Sequence, residues 1–303
     1  MKLNLRLLKR LFLIDHESEF EHDMISFILN YCYKIPNLTF EIGQKGNLFI
    51  TKNTNNVDDY ACIIAHLDGV NSFYGNRELV YNNGVITARY IKSGLQCGLN
   101  ADDSNGICCA LQLLETFPDL KVCFTVQEEI GGIGAKLAAD NVPFFSNVRY
   151  MLQADRRGKG DLITHTNGIN SASKDFVKDI KDVMFKYGYK EATGTFTDIG
   201  VIAEELCISG VNISCGYLNE HFYAESCNVD WLENCLNFMH DIIKALDGNN
   251  KYYTIEKQKP NYISSAYYRN YIDDYPSESD YYDNDIPCNK CTTQDCMNCD
   301  KQF

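Results

Sequence analysis

Short apolar runs alternate with amphipathic segments from Leu5 to Gly248, and this alternation restricts the fold more than any other feature of the chain. "YACIIAHLDG", "KVCFTVQEE", "VRYMLQAD" and "GVNISCGY" are compact, rich in β-branched and aromatic residues, and end on polar groups, as buried strands do. Between and around them, "EFEHDMISFILNYCYK", "SNGICCALQLLETF", "GAKLAAD", "SKDFVKDIKDVMFKYG", "DIGVIAEEL" and "DWLENCLNFMHDIIKALDG" carry helical periodicity. Asp15 or Ser18 is the expected cap of the first of these helices. "LTFEIGQKGNLFITK" reads as strand, Gly-containing turn and strand, and "ELVYNNGVITARYI" as a hairpin turning at Asn-Gly. Strands that alternate with helices predict an α/β domain, a mostly parallel twisted sheet flanked by helices on both faces. Residues 1–248 are expected to form that single globular domain.

The composition changes at about Asn249. Residues 249–303 are rich in Tyr, Asp and Ser without helical or strand period, the pattern of an exposed C-terminal tail. The tail ends in Cys-x2-Cys-x4-Cys-x2-Cys, formed by Cys288, Cys291, Cys296 and Cys299. These are the ligand types of a structural Zn2+ site, and free thiols on a flexible tail are the other reading. The remaining cysteines, Cys62, Cys123 and Cys215 among them, sit in apolar runs and read as small buried hydrophobes. The opening "MKLNLRLLKRLFLIDHE" spaces Leu5, Leu8 and Phe12 on one helical face, and Arg6, Lys9 and Arg10 break up any apolar stretch of signal-peptide type. Reduced thiols in a cytoplasmic protein are therefore expected. A formal net charge of −13 argues against a nucleic-acid partner, and no apolar run is long enough to span a membrane.

Function is concentrated at the strand ends. "CIIAHLD" ends in His66 and Asp68, "CFTVQEE" in Glu128 and Glu129, and "MLQAD" in Asp155. The loop "GLNADDSNG" brings Asp102 and Asp103 to the start of a helix, and "NISCGYLNEH" leads to His221. In an open α/β sheet the carboxyl ends of the strands share one edge, where ligands bind. Carboxylates gathered there would repel one another and raise one another's pKa values. A divalent metal removes that conflict, and mixed His and carboxylate donors suit zinc, with cobalt or manganese also accommodated.

The order His-x-Asp, Asp-Asp-x-x-Gly, Glu-Glu, Asp and a late His resembles the co-catalytic di-zinc exopeptidases, a group that includes aminopeptidases, carboxypeptidases, dipeptidases, tripeptidases and related deacylases. "AHLD", "NADDSNG", "QEEIGGIGA", "QAD" and "GYLNEHFYAE" carry the likeness, which runs from about Leu7 to Leu246 and includes "GNLFITK". The resemblance implies two Zn2+ ions (or Co2+ or Mn2+): His66 and Asp155 on one, Glu129 and His221 on the other, Asp102 bridging. It implies that Asp68 accepts the second ring N–H of His66, that Glu128 is the general base and acid, and that the Asp102–Asp103 peptide is cis. Branches of this family insert an extra domain either between the first His and the bridging Asp or between the fourth ligand and the last His. Here both intervals are short, so the chain resembles the catalytic domain without an inserted lid domain.

Without a lid, substrate contacts must come from elsewhere. Arg156 and Arg157, beside Asp155, could grip a substrate carboxylate or form a solvated basic turn. Thr197 and Asp198 in "GTFTDIG" are candidates for a pocket wall, and Glu225 for a structural role. The expected activity is metal-dependent hydrolysis of short peptides by an aminopeptidase, a monomer or small homo-oligomer. The rivals are a metal-dependent deacylase or amidase acting on N-acylated small molecules and an inactive peptide-binding homologue.

Overall fold

A computed structural model of the chain describes residues 1–257, apart from Ser72 and Tyr74. Cys288, Cys291, Cys296 and Cys299 lie outside the described residues. Strands β1 (Leu38–Ile42), β2 (Leu48–Asn53), β3 (Tyr60–His66), β4 (Arg77–Asn82), β5 (Val85–Tyr90) and β6 (Gln96–Cys97) come first. They are followed by β7 (Asp119–Thr125), β8 (Val148–Arg156), β9 (Asp161–Thr166), β10 (Ile169–Asn170), β11 (Lys190–Gly194), β12 (Gly210–Ser214), β13 (Tyr217–Leu218) and β14 (Ser226–Asn228). The helices are α1 (Leu5–Leu11), α2 (His22–Cys32), α3 (Ala101–Thr116), α4 (Ile133–Ala139), α5 (Val142–Phe145), α6 (Lys174–Asp179), α7 (Lys181–Tyr187), α8 (Asp198–Leu206) and α9 (Val229–Ala245).

Nine strands form the main sheet in the order β1-β2-β7-β3-β8-β12-β9-β10, with β11 beside β9. Its centre, β7-β3-β8-β12, is parallel, as the strand–helix alternation predicts. The strands are buried on both faces, and alternate residues serve different layers. Ala61, Ile63 and Ala65 of β3 join Leu120, Val122 and Phe124 of β7 and Tyr150, Leu152 and Ala154 of β8 in one core. That core is closed by α1, α2, α3 and α9 through residues such as Leu8, Ile28, Leu111 and Phe238. Cys62, Ile64, Cys123 and Met151 point the other way, into a smaller core closed by α4, α5 and α8 through Ala135, Phe145 and Ile202. Nine of the ten cysteines in the described residues are buried, and they fill space as small apolar groups do.

The register aligns the strand ends. His66 lies opposite Thr125 of β7, and Ile64 opposite Gln153 of β8, so β3, β7 and β8 release their chains at one edge. A second sheet, β13-β14-β5-β4 with β6 beside β5, joins the three strands of the interval between Asp68 and Asp102, β4 to β6, to the two that flank His221. Its β4–β5 hairpin turns at Asn83 and Gly84, both with positive φ, the Asn-Gly turn read from the sequence. The pairing of β13 with β14 makes residues 219–225 a hairpin loop, and His221 rides on it. The chain between Asp155 and His221 is spent on β9 to β13 and on α6 to α8, so neither interval holds an added domain.

Three local expectations are revised. Neither Asp15 nor Ser18 caps α2, whose N-cap is Glu21 without a side-chain bond; Asp15 pairs with Arg77 at 2.8 Å, and Ser18 turns toward Asp68. The segment 174–187 is two helices, because Ile180 leaves helical geometry at ψ 3° and caps both. The packed chain also continues beyond Gly248. Tyr253 is buried against the rings of Tyr150 and Phe176, and its N–H donates to Arg149 O at 2.9 Å.

Candidate metal centre

Each site residue is delivered by a strand end or a helix start. β3 ends at His66, whose ring is buried. His66 Nδ1 donates to the main-chain O of Asp68 at 2.9 Å, which leaves Nε2 facing Asp102 Oδ1 at 3.0 Å and Asp155 Oδ1 at 3.7 Å. The expected acceptor, the Asp68 carboxylate, is farther from Nδ1, at 3.5 Å. That carboxylate is occupied elsewhere. Its Oδ1 accepts the N–H of Glu128 at 2.9 Å, and its Oδ2 accepts the N–H of Glu129 at 3.1 Å and the hydroxyl of Ser18 at 2.6 Å. Asp68 therefore fixes the main chain of the paired glutamates, and its backbone fixes the imidazole.

β7 stops at Thr125, short of the two acids. Gln127 adopts φ 56°, and the N–H groups of Gly131 and Gly132 close a turn onto Glu128 O. The N–H of Gly134 donates to Val126 O at 2.9 Å, and a Cβ there would lie 2.1 Å from that oxygen. Asn47, fully buried, completes the seam: its Oδ1 accepts the N–H of Val126 at 3.0 Å and its Nδ2 donates to Gly134 O at 2.8 Å. Gly134→Ala should force this seam apart at a cost of about 2 kcal/mol. A calorimetric scan should show a fall of about 4–8 °C in Tm.

The start of α3 departs from helical dihedrals at Asp102 and Asp103, and the peptide between them is cis. Asp102 presents Oδ1 to His66 and Oδ2 to His221 Nε2, the latter at 3.5 Å, so its two oxygens face two different imidazoles. Asp103 points inward, accepting the N–H of His66 at 3.2 Å and that of Gly106 at 2.9 Å. A Cβ on Gly106 would lie 2.4 Å from the Asp103 carboxylate oxygens, which explains the glycine of Asp-Asp-x-x-Gly. Glu225 anchors the segment from the far side. Its two oxygens accept the N–H groups of Leu99, Asn100, Ala101 and Asp102 at 2.7–3.2 Å, tying the His221 loop to the Asp102 segment. His221 has φ 66° and meets Glu129 Oε1 through Nε2 at 3.0 Å.

Single donor atoms of His66, Asp102 and Asp155 lie within 4.8 Å of one another, and so do those of His66, Glu128 and Glu129 and those of Asp102, Glu129 and His221. The donor chemistry fits divalent metal. Acids outnumber imidazoles, and the electrostatics register the imbalance. Burial and then the charge of Asp102 push Glu129 up to about 7 and Asp155 up to about 6. Burial opposes the charged form of His66, but hydrogen bonds with Asp102, Asp155 and Asp68 outweigh it and raise its pKa well above 6.5. His221 is raised to about 11 by hydrogen bonds with Asp102 and Glu129. The surplus of acids thus raises the proton affinity of carboxylates and imidazoles alike.

The basic residues singled out in the sequence do not turn inward. Arg157 pairs with Glu220 at 2.8 Å and Arg156 approaches Asp161 at 3.5 Å. Thr197 does face the site, within 3.3 Å of Asp155 Oδ2.

No protein-family model and no curated protein matches the sequence. Solved structures do match the fold. Aminopeptidase PepT from Bacillus cereus superposes with a TM-score of 0.65 at 15% identity, over 80% of this chain and 97% of that one. A tripeptidase from Staphylococcus aureus gives 0.65 at 14% identity, over 79% and 96%. The chain shares the fold of these peptidases. Another example is the TET1 peptidase of Pyrococcus horikoshii, which can assemble into a tetrahedron or a large octahedral shell, at 0.58 and 15% identity over 79% and 98%.

Within this fold, several buried polar groups around the strand ends were not singled out from sequence: Asn47, Gln153, Asn212 and Tyr217. "GNLFITK" carried a signal for Asn47, a polar residue at the mouth of an apolar strand. The others are lone polar residues in ordinary contexts, and only the folded chain brings them to the site.

Proposed function

We propose that this protein is a metal-dependent hydrolase, an aminopeptidase that cleaves short peptides. One observation carries the reading: five imidazole and carboxylate donors converge at the strand ends with a sixth, Glu128, among them. His66 and Asp155 would hold one ion, Glu129 and His221 the other, and Asp102 both. Two divalent ions, zinc in the first place and cobalt or manganese in the second, would supply Lewis acidity toward the scissile carbonyl and the attacking water.

The chain's own groups do the rest. Glu128 takes a proton from the attacking water and returns it to the leaving amine. Burial raises its pKa well above 4.5; His66 opposes this, and the charges of Asp198, Glu129 and Asp155 add to it. Burial, the largest of these effects, makes the carboxylate a stronger base. Asp68 keeps Glu128 and Glu129 in their relative places through the two main-chain bonds described above, so base and ligand are set by one carboxylate. The pair of glutamates then divides the work between proton and metal.

A panel of short peptides, with free and with blocked amino termini, tests this in the presence of zinc and after chelation. Cleavage from the free amino end that stops with chelator and returns with zinc is expected. Cleavage that ignores the chelator would overturn the metal reading, and preference for the blocked members would replace the aminopeptidase with a deacylase.

A further inference from the structure

We propose that Thr197 is a positioning residue: through Gln153 and Asn212 it fixes which oxygen of Asp155 is presented to the metal position shared with His66. The inference rests on the ligand assignment proposed above. Asp155 is enclosed by neutral donors from separate elements. Gln153 Nε2 donates to Asp155 Oδ2 at 3.0 Å. Asn212 bonds the main chain of Asp155 in both directions, accepting from its N–H at 2.9 Å and donating to its O at 2.7 Å. This double bond falls where the β12–β8 register shifts between Asn212 and Ser214, so a side chain stands in for the interrupted ladder. Tyr217 donates its hydroxyl to the other carboxylate oxygen, Oδ1, at 3.3 Å.

Proton counting gives the network a direction. Thr197 has one hydroxyl hydrogen and two acceptors in reach, Gln153 Oε1 at 2.8 Å and Asp155 Oδ2 at 3.3 Å. Gln153 Oε1 also accepts the N–H of Ile199 at 2.9 Å, which fixes the Gln153 amide with its oxygen toward Thr197 and its nitrogen toward Asp155. Asn212 Nδ2 donates to Thr197 Oγ1 at 3.1 Å, so that oxygen accepts from Asn212 while it donates to Gln153. The chain of donation runs from Asn212 to Thr197 to Gln153 to Asp155 Oδ2. Oδ1 is left facing His66 Nε2. All three helpers are uncharged and buried, so they orient the carboxylate without spending its negative charge, and that charge stays available to a cation. In the opposite ligand pair His221 has no such enclosure, its side chain being 42% exposed. Thr197 therefore acts on one metal position and not the other.

Calorimetric titration of the chelator-treated full chain with Zn2+, backed by metal analysis, tests this. Wild type should take up two ions; uptake of none defeats the ligand assignment itself. In Thr197→Val, which keeps the shape and removes the hydroxyl, one ion should bind about 10- to 100-fold more weakly and the other within about twofold of wild type. Thr197→Ser should restore binding. Wild-type-like uptake by Thr197→Val, or equal weakening of both ions, would overturn the proposal while leaving the ligand assignment standing. If Thr197→Val does not fold, Gln153→Glu replaces the donor to Asp155 with an acceptor at constant shape. The same one-sided loss is expected there, and wild-type uptake would again overturn the proposal.

Discussion

Glu128→Gln is expected to lower kcat for peptide hydrolysis by about a hundredfold to ten-thousandfold while leaving metal stoichiometry at the wild-type value. The substitution keeps the size and one acceptor oxygen of the side chain and removes its capacity to take a proton. Nothing that holds the surrounding turn depends on that capacity. Asp68 grips Glu128 by its main-chain N–H, and Glu129 meets His221 through its own carboxylate. KM should therefore move little, and the loss should appear in kcat and in kcat/KM together, as for an interaction made in the transition state. Steady-state kinetics with metal analysis on the same preparation separates the outcomes. Retained activity would remove Glu128 from the reaction, whereas lost activity together with lost metal would make it a ligand.

The paired glutamates also show how far the sequence could be read and where physics hid the rest. The apolar alternation within β3, β7 and β8 is strong because those strands are buried on both faces, and the polar residues that end them stand out against it. His66, Asp102, Glu129, Asp155 and His221 stood out for that reason, each punctuating an apolar run or opening a helix, and the fold brings their donor atoms together. Asp68 stood out in the same way, but its partners did not. Spacing places it beside His66, yet its carboxylate is spent on amides of a turn 60 residues away in sequence, at Glu128 and Glu129. Glu225 poses the same problem from the other end of the chain, since its acceptor role is set by the main chain of residues 99–102 and no pattern in "GYLNEHFYAE" encodes it. The arginines beside Asp155 looked functional by adjacency alone, but Arg156 follows Asp155 on β8 and so faces the other way, Arg157 lies beyond the strand, and nearby acids claim both. Local patterns reported which residues reach the edge of the sheet. Which atoms they touch there was decided by chain segments distant in sequence.

The charge imbalance at that edge makes stability respond to pH and to metal in opposite senses. Without metal, burial and the charge of Asp102 push Glu129 up to about 7 and Asp155 up to about 6, against 4.5 and 3.8 for the same groups without these surroundings. An acid with a raised folded pKa binds protons more tightly in the folded chain. Its stabilising share is complete below the unfolded pKa and is lost as pH rises through the folded one. The metal-free protein should therefore lose stability between about pH 4 and pH 7. His221 acts in the same direction over a higher window, because its share is present below 6.5 and fades only as pH rises toward about 11. Metal follows the reverse course, since carboxylates must shed protons to bind it, so affinity climbs over the same interval. Zinc at about a hundred times its dissociation constant should contribute about 2.7 kcal/mol, or about 5–10 °C in Tm for a domain of this size. The gap between zinc-loaded and chelated melting curves should thus be small at pH 5 and widest near pH 8. Differential scanning calorimetry across that range measures it directly, and a gap that narrowed with rising pH would mean that the acids at the strand ends are not the groups that hold the metal.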